Sequence, residues 1–207
     1  MKDKTNLIPE QKSGAESDTA EEVTLNSVEE AIAHFKIVKN RLLNVSEWHS
    51  VSGKASADFT LTDYQGNAVN RLAWEGDFFK IKISAPQNET GEGFDWVQIK
   101  SIEESSTSEN SELLAIKVKP ASNPTNSDPE TAHFFNDEAS STFLVKREYK
   151  TITAEVHGRN EKPNTDASLS DSIRNVFVAL GAMLGFSKVQ WKSLVLGLIK
   201  TEHEKND

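Results

Sequence analysis

The spacing of apolar residues changes period twice along this chain, and that double switch is the strongest constraint on its fold. Val28, Ala31, Ile32, Phe35, Val38 and Leu42 recur at helical spacing. After Trp48 the period drops to two: Ala55, Ala57, Phe59 and Leu61 alternate with Ser56, Asp58, Thr60 and Thr62. Further strand-like runs follow at Phe78 to Ile83, Phe94 to Ile102, Leu113 to Val118, Phe143 to Tyr149 and Thr151 to His157, with a shorter one at Val69 to Trp74. Helical spacing then returns in Leu169, Ile173, Val176, Phe177, Leu180 and Leu184, and again in Trp191, Leu194, Val195 and Leu198. Six or seven strands linked by turns rather than helices require an antiparallel sheet. The expected fold class is therefore α+β, a sheet packed on an N-terminal helix and a C-terminal helical segment.

Local signals sharpen the boundaries. Ser27 followed by Glu30 is a capping box, and Asn44 is a helix stop. Gly181 and Gly185 interrupt the C-terminal stripe, and Ser187 with Gln190 repeats the capping pattern, so two helices are expected to meet at Gly185-Phe186. Residues 1–26 hold few apolar side chains and are expected to form a disordered polar head, with Glu22 to Leu25 alone suited to an edge strand. A single domain is expected over 27–201, followed by a flexible tail, 202–207. Two polar loops are expected, Glu103 to Glu112 with four glutamates and no base, and Pro120 to Glu130 with three prolines. These appendages dilute a normal core to 36% hydrophobic residues.

Composition excludes several chemistries. With no cysteine there is no disulfide framework, zinc ribbon or thiol nucleophile. The formal charge of -9 argues against a nucleic-acid surface. No apolar run is long enough to span a bilayer, and the N-terminus carries no secretory pattern, so a cytoplasmic protein is expected. Walker, dinucleotide-loop, nucleophile-elbow and histidine–metal spacings are absent, so neither a metal nor a cofactor is expected.

Helix, antiparallel strands, then a long C-terminal helical segment is the element order of the START-like, helix-grip superfamily, which this chain resembles over roughly Ser27 to Lys200. The resemblance rests on element order and on no motif. It implies a curved sheet around the last helix and an apolar cavity between them.

Candidate site residues fall in three groups. Glu155 and His157 share one strand face, and a histidine beside a carboxylate suits acid–base work, with Arg159 available to hold an anion. Structural ion pairing explains the same trio. His133 with Phe134 and Phe135 suits a lid over a cavity mouth, or a staple for the proline loop. Trp48, Trp74 and Trp96 suit a cavity lining, or ordinary core. Lys80 and Lys82 point away from Ile81 and Ile83 and read as a solvated strand face, or an edge defended against pairing, rather than an anion site. The resulting expectation is a domain binding a small apolar ligand in an internal cavity through Trp48, Trp74, Trp96, His133, Phe135, His157 and Arg159. The alternatives are a protein-interaction scaffold, and a cyclase- or hydrolase-type enzyme using His157 with Glu155 or Asp95.

Overall fold

The computed structural model describes residues 7–53, 57–82, 94–125, 138–162 and 189–201. Strand β1 (Ala15–Thr24) leads into helix α1 (Val28–Leu43), a 3-10 turn (Val45–Glu47) and the short helix α2 (Trp48–Ser52). Six strands follow: β2 (Asp58–Thr62), β3 (Phe78–Lys82), β4 (Asp95–Ser108), β5 (Ser111–Pro120), β6 (Ser140–Glu148) and β7 (Thr151–Glu161). Residues 189–199 form a further helix, α3. All seven strands make one antiparallel sheet in the order β1-β7-β6-β5-β4-β3-β2. This is the α+β, helix-grip-like arrangement. The expected break at Gly181 and Gly185 lies outside the described residues, as does the tail 202–207.

Alternation divides the sheet into two sides. Ile152, Ala154, Val156, Phe143, Val145, Leu114, Ile116, Ile99 and Phe79 join the helices in one core. The helix ends are tied by the bonds the sequence signals. Ser27 Oγ accepts from Glu30 N at 3.1 Å, while the Glu30 carboxylate receives the N–H of Asn26 rather than that of the cap residue. Helix α1 also fixes α3: buried His34 bonds the Ile199 carbonyl at 2.8 Å, and Arg41 donates to the carbonyls of Leu198 and Lys200 at 2.9 and 2.7 Å. These are the orphan acceptors of a helix C-terminus. Gly197 lets α3 approach α2, since a Cβ there would overlap the Val51 carbonyl. Gly197→Ala is expected to lower stability by about 1–3 kcal/mol, read as an earlier thermal midpoint.

Three expectations about the elements are corrected. Residues 15–24 are a strand, not part of a structureless head, because an edge strand is held by backbone pairing to β7 and needs little apolar burial. The stretch before it is also engaged. Leu7 packs on Ala115 and Leu144 on the outer side of the sheet, and the Asn160 side chain receives the N–H groups of Lys12 and Ser13 at 2.8 and 3.2 Å. Second, Glu103 to Glu112 is not a loop but the end of the β4–β5 hairpin, turning at residues 109–110. Its charges are not all uncompensated, since Lys39 meets Glu104 at 2.7 Å and Arg147 meets Glu112 at 2.8 Å. Third, Val69 to Trp74 is not a strand, and only Ala68 bridges to Thr62. No helix among the described residues is long and apolar enough to cross a membrane.

Candidate functional site

Between the sheet and the helices lies an aromatic cluster. Trp48 on α2 is fully buried and donates its indole N–H to the carbonyls of Leu42 and Arg41 at 3.1 and 3.2 Å. Its ring meets Phe59 of β2, Phe79 of β3 and Phe143 of β6 at centroid distances of 5.2, 5.7 and 4.7 Å. Trp191 of α3 closes the group, 5.4 Å from Phe143 and 6.3 Å from Phe59. Edge and tilted contacts at these distances are favourable ring geometries. Trp191 is only half-buried, so the cluster comes nearest to solvent at this residue.

A second constellation lies on the other side of the sheet. Glu155, His157 and Arg159 alternate with the core-facing Ala154 and Val156, so they point outward from β7. His157 Nε2 meets Glu155 Oε2 at 2.8 Å, and Nδ1 meets Asp18 Oδ1 of β1 at 2.5 Å. Arg159 reaches the same Asp18 oxygen at 2.8 Å, and Lys146 stands 3.8 Å from Glu155. Gly158 lies within β7, which continues to Glu161.

The electrostatics assign this network a task. Burial would depress the His157 imidazole, but hydrogen bonds to Glu155 and Asp18 outweigh it and raise its pKa above 6.5. Partial burial pushes the Asp18 carboxyl up, yet bonds from Arg159 and His157 prevail and hold it below 3.8. Two carboxylate acceptors leave no place for a ring lone pair, so only the imidazolium satisfies both. With both nitrogens engaged, His157 has none to offer a substrate.

The linkage signs follow from those directions. The His157 contribution is complete below 6.5 and disappears as pH rises through the raised folded value. The Asp18 contribution is present above 3.8 and disappears as pH falls through the lowered one. The clamp between β1 and β7 is therefore strongest between those two values. His157→Gln is expected to cost about 1–2 kcal/mol at pH 6, discounted because the Asp18 side chain is 53% exposed. Stability curves measured from pH 5 to 9 should converge for the two proteins on the alkaline side.

The expected ligand residues do not gather in one place. Trp48 belongs to the aromatic cluster. Trp96 lies on the outer side, opposite Lys80, with its indole N–H buried and without a hydrogen-bond partner among the described residues. Trp74 stands in a loop, 62% exposed, stacked under Arg71 at 3.7 Å, while Asp77 holds Arg71 at 2.6 and 2.9 Å. His157 and Arg159 sit at the β7–β1 edge. His133 and Phe135 lie outside the described residues, and the Asp95 side chain is not described. Phe59, Phe79, Phe143 and Trp191 were readable as members of apolar faces, but pattern alone did not unite them. Asp18 was missed because its segment looked too polar to order. Among the described residues no group of three or more His, Asp or Glu is placed to hold a metal ion.

The fold and the buried aromatic cluster define an α+β domain of helix-grip-like form. No family model matches the sequence, and no curated protein matches it. Among solved structures the chain is similar to the hypothetical protein jhp0584 from Helicobacter pylori, at 15% identity over 86% of each chain and a TM-score of 0.44. It is similar to truncated norcoclaurine synthase from Thalictrum flavum, at 6% identity over 94% of this chain and 100% of that one, TM-score 0.42. It is also similar to major latex-like protein 151 from Panax ginseng, at 13% identity over 83% and 96%, TM-score 0.35. At these values the likenesses carry no argument about function.

Proposed function

We propose that this domain binds a small apolar molecule between the sheet and α3. The observation that carries the reading is the meeting of five aromatic rings, contributed by both layers, with half-buried Trp191 on the helix that covers the sheet. Ligand sites of this kind are lined by apolar and aromatic side chains with few polar groups. Within the cluster, the Trp48 indole N–H is already satisfied by backbone carbonyls, so selectivity there comes from shape and ring contact. The His157-dependent enzyme reading is the weaker one, since Asp18 and Glu155 occupy both ring nitrogens.

The test uses the neutral fluorophore N-phenyl-1-naphthylamine, whose lack of charge avoids the surface lysines. Saturable binding with one site per chain is expected, weakened at least fivefold by Trp191→Ala. Because Trp191 is half-buried, the variant should remain folded by circular dichroism. Absence of saturable binding, or equal binding by the variant, would sink the proposal.

A further inference from the structure

The outer side of β3, β4 and β5 carries a stripe of positive charge that the chain's net charge of -9 conceals. Lys80 and Lys82 alternate with core-packed Phe79 and Ile81 and so point outward from β3. Lys119 lies opposite Gln98, and Lys117 opposite Ser101. Lys100 occupies the β4 bulge between Ile99 and Ser101 and bonds the Gln98 side chain, which places it on the same side. The Lys80 ammonium rests 4.7 and 5.9 Å from the ring centres of Phe94 and Trp96, which hold it over the sheet.

Several cations elsewhere are matched: Lys39 with Glu104, Arg71 with Asp77, Arg147 with Glu112 and Arg159 with Asp18. Lys80, Lys82, Lys100 and Lys117, by contrast, meet no carboxylate among the described residues. On the outer faces of β2 to β5 the described acids, Asp58 opposite Lys82 and Glu103 opposite Ala115, stand toward the two ends of the stripe. Glu155 and Asp18 lie across the sheet on β7 and β1.

We infer that this stripe is a docking surface for an acidic, extended polypeptide segment. Charge complementarity selects an anionic partner. Same-side positions along a strand recur about every 7 Å, which is also the spacing of alternate side chains in an extended peptide. The stripe runs roughly 20 Å along the strands while crossing only three of them, a shape suited to a linear partner rather than a bilayer. Trp96 is buried and Lys80 covers Phe94, so no open ring is offered for stacking a nucleic-acid base. The four cations that meet no carboxylate, Lys80, Lys82, Lys100 and Lys117, are all lysines, which recognise charge density and not the fork geometry of one bound phosphate.

The test titrates a labelled ten-residue peptide of alternating glutamate and serine at low ionic strength. Salt-sensitive binding is expected, and the double variant Lys82→Glu/Lys100→Glu should weaken it about tenfold. Both side chains are exposed, so folding is preserved. Reversal of Lys36 and Lys200, exposed and away from this face, should change it little. No binding, equal loss in the control, or tighter binding to oligothymidylate or phosphatidylserine vesicles overturns the inference. Uptake of the neutral fluorophore is independent of the outcome.

Discussion

Replacing Arg147 by alanine is expected to cost about 3–5 kcal/mol, the range for removing one partner of a buried ion pair. Arg147 is 1% exposed on the helix side of β6, where core packing surrounds a charge. Its Nε and Nη2 reach Glu112 at 2.9 and 2.8 Å, Nη2 also donates to the Glu109 carbonyl at 2.8 Å, and Nη1 donates to that of Tyr149 at 3.1 Å. One side chain thus joins the β4–β5 turn to the β6–β7 turn. Truncation leaves a carboxylate and two carbonyls short of a donor as well as a void. For a chain of this size the loss corresponds to a fall in thermal midpoint of roughly 6–20 °C. Arg147→Lys should recover only part of it, since an ammonium cannot span the same acceptors. A midpoint within 2 °C of the parent would contradict this account.

Trp48→Ala is the other large effect, about 3–5 kcal/mol for deleting a fully buried aromatic side chain. Trp48 contacts rings from three strands while its N–H satisfies two carbonyls at the end of α1. Trp48→Phe separates the two roles. It keeps a ring but removes the donor, and should cost about 1–2 kcal/mol less than alanine. Chemical denaturation of the three proteins reads the difference. Equal costs for the two substitutions would mean that the hydrogen bonds, not the ring contacts, dominate.

Much of the architecture was legible because amphipathic periodicity is a local property. The α1 stripe, the capping residues Ser27 and Glu30, the cores of β3, β5, β6 and β7, and the shared face of Glu155 and His157 all follow from spacing alone. Edge strand β1 and the far half of β4 did not. Their stability comes from backbone ladders to neighbours, and a ladder leaves no hydrophobic signature in the strand that benefits.

The candidate site divides along the same line. The sequence by itself determined which residues share a face, because a side chain's direction depends only on its neighbours' backbone. What each face meets was decided by tertiary structure. Asp18 lies 139 positions before His157, and only pairing of β1 with β7 turns a histidine beside one carboxylate into an imidazolium held by two. Phe59, Phe79, Phe143, Trp48 and Trp191 come from five elements and meet only after the sheet and helices pack. The two switches of apolar period thus specify the layers and their faces, whereas contacts between distant segments depend on strand order and register, which no local spacing encodes.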